Sequence, residues 1–177
     1  GRGTPSTAER ASGTAFFAAA LGLGLLALET NNWFQASPAT AELRSRAANI
    51  QARLGATYRY LKNSDPALIA AYRHATNRLL FYGIALFILG CLVANDDAVT
   101  RSTRYVDLAL EQVDTDAGYF IEGGGYDSSY NAVAAALALR LVLLDYPSSD
   151  PQGVAARASD WQRSRINETG ELSTAGN

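Results

Sequence analysis

The sequence predicts an all-α protein of antiparallel helical hairpins, about six helices in a single domain over residues 1–177. Three observations carry that expectation. Helix starts are legible: Ser37-Pro38, Asp65-Pro66 and Asp150-Pro151 each pair a capping side chain with a proline at the first helical position, where its missing N–H costs nothing. Helices apolar on all sides alternate with helices apolar along one stripe. No strand-like alternation extends beyond the few residues around Tyr119 to Ile121.

The first helix is expected from Thr7 to Thr30, behind the capping-box spacing Ser6-Thr7-Ala8-Glu9. The second, Pro38 to Leu61, sets Leu43, Ala47, Ile50, Leu54, Tyr58 and Leu61 on one face with arginines between, the pattern of a half-exposed helix. The third, Pro66 to Ala94, is apolar all round from Leu79 and is expected to be enclosed. Asp96 opens a fourth, Asp97 to Val113, and Ser128 or Ser129 a fifth, Ser129 to Tyr146, whose stretch Ala132 to Leu144 again reads as enclosed. The sixth, Pro151 to Arg165, returns to a single stripe of Val154, Ala158 and Trp161. Short turns between enclosed and half-exposed helices make hairpins with an inner and an outer layer.

Composition narrows the function classes. Lys+Arg 15 against Asp+Glu 17 leaves no basic footprint for a phosphate backbone, so nucleic acid is not an expected partner. Lys62 is the one lysine in an arginine- and alanine-rich chain, a bias pointing to a GC-rich bacterial gene and hence to a bacterial cytoplasm or periplasm. The chain has no methionine, so either a leader has been removed or it is part of a longer product. Cys91, inside an apolar run, reads as a small core residue and has no partner for an internal disulfide. The apolar runs Phe16 to Leu28 and Leu79 to Ala94 both fall short of the roughly 20 residues that span a bilayer, so they read as core helices and no membrane partner is expected.

One stretch interrupts the helices: "DAGYFIEGGGYDSSYNAV", Asp116 to Val133. Tyr119, Tyr126 and Tyr130 offer flat apolar faces with hydroxyls at their edges, a chemistry that suits sugar rings. Glu122 and Asp127 supply carboxylates, and hydrolysis needs two of them about 5 to 9.5 Å apart across the scissile bond. The plainer reading is that Gly123 to Gly125 turn the chain and Asp127 caps the fifth helix, and for Asp127 the spacing favours the cap. His74, the sole histidine, forms an i, i+4, i+8 stripe with Arg78 and Tyr82, which reads first as a polar seam between helices and second as part of a site.

The loop has a partner near the C-terminus, "NETGELSTAGN". At an offset of 52 residues Asp116 matches Glu168, Gly118 matches Gly170, Phe120 matches Leu172 and Gly124 matches Gly176, while Val106 and Ala109 match Ala158 and Trp161 upstream. Such a period suits one helical hairpin. An outer helix, then acid-x-Gly-x-Phe/Leu with glycines and "GYDSSY", then an apolar inner helix, resembles the hairpin unit of the α/α toroids, the six-hairpin superfamily of glycosidases and polysaccharide lyases. The specific resemblance covers Val106 to Asn177.

The resemblance implies a carbohydrate-facing cleft where such loops gather, and a lyase or glycosidase activity with Tyr126, Tyr130 and Glu122 as catalytic groups. Tyr119, Asp127, Asn131, His74 and Arg78 would then contact the saccharide, the last three by neutralising a uronate carboxylate. A non-catalytic carbohydrate-binding or assembly module on the same scaffold is the alternative. Six helices make an incomplete toroid whose inner helices lack neighbours, which implies self-association or missing hairpins. No cofactor or metal is expected. One His and one Cys cannot close a zinc site, Asp96-Asp97 lacks the further acids a magnesium site would use, "DTDAG" from Asp114 places glycine one position early for a calcium loop, and the triple glycine has no following Lys-Ser/Thr for phosphate.

Overall fold

The computed structural model describes residues 4–147 and 150–173. Its helices are α1 (Thr7–Glu29), α2 (Asn32–Ala36), α3 (Ala41–Tyr72), α4 (Thr76–Val93), α5 (Asp96–Leu110), α6 (Ser128–Leu143) and α7 (Pro151–Ser164), with a 3-10 turn at Pro38–Thr40. Strands β1 (Ile121–Glu122) and β2 (Gly125–Tyr126) pair antiparallel between α5 and α6. The protein is all-α, as its sequence predicts. It forms two compact units: residues 1–71 with 84–102, and residues 72–83 with 103–177.

In the first unit, the capping box at α1 is complete, with Glu9 N donating to Ser6 Oγ at 3.2 Å and Ser6 N to Glu9 Oε2 at 2.7 Å. Ser37-Pro38 opens the 3-10 turn that runs directly into α3, and α2, capped by Asn31 accepting from Phe34 N at 2.8 Å, is not marked in the sequence. Asp65-Pro66 does not start a helix. Pro66 lies inside α3, because the buried Asp65 carboxylate is held by Arg101 Nη1 at 2.7 Å instead of capping a new first turn. Around that pair, Asp97 accepts from Tyr58 Oη, from Lys62 Nζ at 2.8 Å and from Arg101 Nε at 3.2 Å, tying α3 to α5. Lys62, Tyr58 and Arg101 hold the Asp97 carboxyl well below the usual carboxylate range, and burial together with Asp97 pushes the Tyr58 hydroxyl up to about 12.

The two apolar helices differ in burial. In α4, Leu79, Leu80, Ile84, Leu86, Ile88 and Leu89 are buried, as an enclosed helix requires, although Cys91 lies exposed and not in the core. α1 is not enclosed. Its inner face (Ala8, Ala11, Ala15, Ala18, Ala19, Gly22, Leu25) is buried, but Phe17 remains 67% exposed. Gly22 sits so close to Ile88 that an added methyl would overlap the Ile88 Cγ2 methyl. Gly22→Val is therefore expected to lower stability by about 1–3 kcal/mol through overpacking, seen as a fall in the urea midpoint without change in slope; Gly13→Ala, with open space around it, is expected instead to raise stability by about 0.5–1 kcal/mol, as alanine does in a helix interior.

The second unit corrects two further expectations. The helix expected from Pro66 to Ala94 breaks at residues 73–75, so His74 occupies a turn and α4 begins at Thr76. Ala75 bridges Glu122, which explains why the chain leaves helical geometry there. Helix α6, expected to be enclosed, buries Ala134, Ala135, Ala138 and Leu141 against α7 but exposes Val133, Leu139 and Leu143. Tyr82 is buried with its ring 6.3 Å from Tyr72 and 5.6 Å from Tyr105, and the Arg78 guanidinium lies over Tyr72 at 4.5 Å: the seam between helices that the His74, Arg78, Tyr82 spacing suggests for its last two members.

Candidate functional site

The two glycine loops share their main features, although the second is one residue shorter between its Asx turn and its glycine. In the first, Asp114 Oδ1 accepts from Asp116 N at 3.0 Å and Ala117 N at 2.7 Å, Gly118 N donates to Asp114 O at 2.9 Å, and Val113 bridges Phe120. In the second, Asn167 Oδ1 accepts from Thr169 N at 3.0 Å and Glu171 N at 2.8 Å, Gly170 N donates to Asn167 O at 3.0 Å, and Ile166 bridges Leu172. Gly118 and Gly170 hold φ of 84° and 85°, a left-handed conformation that favours glycine. The matched pair Gly124 and Gly176 cannot be compared, since Gly176 lies outside the described residues. Ser128 Oγ donates to Ser173 O at 3.2 Å, which brings both loops to the same end of the second unit.

From the first loop the chain enters the β1–β2 hairpin, turned by Gly123 and Gly124 at positive φ, as a two-residue connection of this type demands. The hairpin is docked through its backbone. Gly123 N donates to His74 O at 2.9 Å, and Thr76 Oγ1 donates to Ile121 O. His74 is thus brought to the loop by its carbonyl, while the residue itself is exposed. Glu122 faces the first turn of α4, where Asn77 N donates to its Oε2 at 3.4 Å. Burial raises the Glu122 carboxyl above its ordinary value, with Asp127 adding to the rise and the α4 backbone and Arg78 opposing it.

That shift has a sign that can be tested. A carboxyl whose folded pKa exceeds its unfolded pKa favours the folded state below the unfolded value and loses that contribution as pH rises through the folded value. Glu122→Gln is accordingly expected to flatten the decline in stability above the ordinary glutamate pKa, measured by thermal melts across mildly acid to neutral pH; an unchanged profile would remove Glu122 as a proton-holding group.

Other predicted site residues are engaged structurally. Asp127 is the N-cap of α6, accepting from Ser129 N at 2.8 Å and Tyr130 N at 3.0 Å, in line with the plainer reading. Asn131, read as a saccharide contact, is instead fully buried: Phe120 N donates to its Oδ1 at 2.9 Å, and its Nδ2 donates to Ala158 O at 3.1 Å and Gln162 Oε1 at 2.9 Å. Its position between the loop and α7 leaves no face for a ligand. Tyr130 is exposed on α6.

Tyr119 and Tyr126 meet edge to face at 5.5 Å, and both rings contact Trp161, at 5.0 and 5.4 Å. Arg165 lies over Tyr126 at 5.0 Å and over Trp161 at 5.3 Å. In the sequence Trp161 falls on the packing stripe of the last helix, and no motif marks Arg165. Spacing along α7 puts Trp161 and Arg165 four residues apart on one face, but nothing local points that face at residues some 40 positions earlier. Burial, and after it Asp114, raises the Tyr119 hydroxyl, so this tyrosine is harder to ionise. Among the described residues no three His, Cys, Asp or Glu side chains gather where a metal ion would be held.

No protein-family description, curated protein or solved structure matches this chain.

Proposed function

We propose that the loop end of the second unit is a saccharide-binding surface, and that the protein is carbohydrate-active on part of an α/α toroid. The observation that supports this most is the cluster of Tyr119, Tyr126 and Trp161 beneath Arg165, half-exposed beside the strand that carries Glu122. Aromatic rings of this kind stack on sugar rings, an arginine recognises carboxylates, and a carboxyl whose pKa is raised can donate a proton to a leaving oxygen. In a glycosidase Glu122 protonates the leaving oxygen while Asp127, the other carboxylate of the loop, activates the attacking water; in a lyase Tyr126 or Tyr130 acts as base and acid, with Arg78 or Arg165 neutralising the uronate.

The test is binding and turnover on a panel of neutral and uronate polysaccharides. The double variant Tyr126→Phe, Tyr130→Phe is expected to keep the helical circular dichroism and to bind about tenfold more weakly, the scale of one or two lost hydrogen bonds. Appearance of the ultraviolet absorbance of unsaturated uronate marks a lyase, and new reducing ends without it mark a glycosidase. Equal affinity in the variant removes the loop from binding altogether.

Binding without turnover marks the second reading, a non-catalytic module, which the engagement of Asp127 and Asn131 in capping and packing favours. The α6–α7 groove, about 400 Å³ and lined by Ala132, Ala136, Leu139 and Ile166, extends the proposal to self-association. Light scattering is expected to find a dimer of the wild type and a monomer of Leu139→Glu.

A further inference from the structure

We propose that the α1 side of the first unit docks on an anionic lipid bilayer, with α1 lying in the plane of the interface. From Ala11 to Leu28 this helix carries no charged residue. Its inner face is held in the fold by contacts as close as Gly22 on Ile88, so the helix stays attached along one side. Its outer face presents Gly13, Phe17, Ala20, Gly24 and Leu28, one exposed residue per turn and none of them polar. A helix of this length lays roughly 35 Å of apolar stripe against a partner.

The stripe is continuous with a groove of about 550 Å³ between α1 and α3, lined by Gly24, Leu28, Leu43 and Ile50. At its edge stands Trp33, 66% exposed, while the next residue, Phe34, is buried and anchors α2. A tryptophan beyond the end of an apolar helix, with its neighbour rooted in the core, is placed as interfacial tryptophans are. Isolated exposed apolar residues need no partner, but a connected stripe and groove do.

Charge selects the partner. Arg10 lies one turn before Gly13 on the α1 stripe, and Arg46 and Arg53 flank Leu43 and Ile50 on α3. From Leu43 to Arg59, α3 carries Arg44, Arg46, Arg53 and Arg59 and no acid; Arg46 is paired with Glu42, and the next cation, Lys62, is held by Asp97 on α5. Two copies apposed through this face would bring cations against cations. Anionic headgroups meet the same cations favourably while their acyl chains receive the apolar stripe, the composition of an amphipathic interfacial helix.

The test is co-sedimentation of the full chain with phosphatidylcholine vesicles with and without phosphatidylglycerol, read beside Trp33 emission. Partition is expected to rise with phosphatidylglycerol, to fall with added salt, and to blue-shift the emission in the wild type but not in Trp33→Phe. Phe17→Glu combined with Leu43→Glu should cut partition at least about tenfold at an unchanged melting temperature, since each change places a charge on the inserting face. Leu139→Glu, on the second unit, should leave it unaltered. The proposal is overturned if the wild type stays in the supernatant with both vesicle types, if the double variant partitions equally well, or if the double variant instead converts a dimer to a monomer without any vesicle binding.

Discussion

Asn131→Leu is expected to lower the stability of the second unit by about 3 kcal/mol, one of the two largest effects of a single side chain in the molecule. Leucine has a similar branched shape but is larger, so overpacking at this fully buried position adds to the polar loss. With the amide removed, the Phe120 N–H and the carbonyl of Ala158 lose their partners in a place water does not reach, and Gln162 loses a donor. Asn131→Asp keeps the acceptor for Phe120 but sets a carboxylate against two oxygens, so it should be no better at neutral pH and should recover partly as the solution is made acid. Urea denaturation measures both. Because Asn131 anchors the first glycine loop to α7, amide hydrogen exchange in residues 114–126 should accelerate before the helices do. A loss under about 0.5 kcal/mol would mean that the three bonds are replaced at little cost, and the loop would then have another anchor.

Arg101→Leu is the second large effect, about 2–3 kcal/mol in the first unit. This is less than the full cost of orphaning a buried carboxylate, because the Arg101 side chain is itself 27% exposed and part of its field is screened. The variant leaves Asp65 buried without its cation and takes one of three donors from Asp97. The pH dependence separates these contributions. In the wild type Asp97 is held low, so its contribution is present above the unfolded aspartate pKa and is lost as pH falls through the folded value. The variant removes one of the donors that hold Asp97 low, so less of that contribution is present at neutral pH, while in acid both proteins have lost it. The difference in urea midpoint between wild type and Arg101→Leu should therefore be wide at neutral pH and narrow in acid; a constant difference would assign the loss to packing alone.

Both predictions concern contacts that bridge long stretches of chain, and the same distinction explains which expectations held. Ser6-Thr7-Ala8-Glu9, Asp127 and Asp150-Pro151 act on N–H groups two or three residues away, so the helices they open could be read locally. Asp65-Pro66 has the same local signature, but Arg101 claims the carboxylate from 36 residues away and the helix runs on. The loop from Asp116 to Val133 was recognisable by its glycines and tyrosines, and its cap by spacing. Trp161 and Arg165 were not recognisable as its companions, because only the antiparallel packing of α7 on α6 carries them there.

What the amino-acid order determined alone is the set of rods and the joints between them: helix after helix, capped at the start, with left-handed turns where Gly118 and Gly170 stand. Burial was decided only in three dimensions. α1 and α4 are equally apolar in composition, yet one is enclosed and the other keeps an open face, and α6 keeps one too. Periodicity tells which side of a helix shuns water, but how many neighbours arrive to cover that side depends on contacts between residues far apart in the chain.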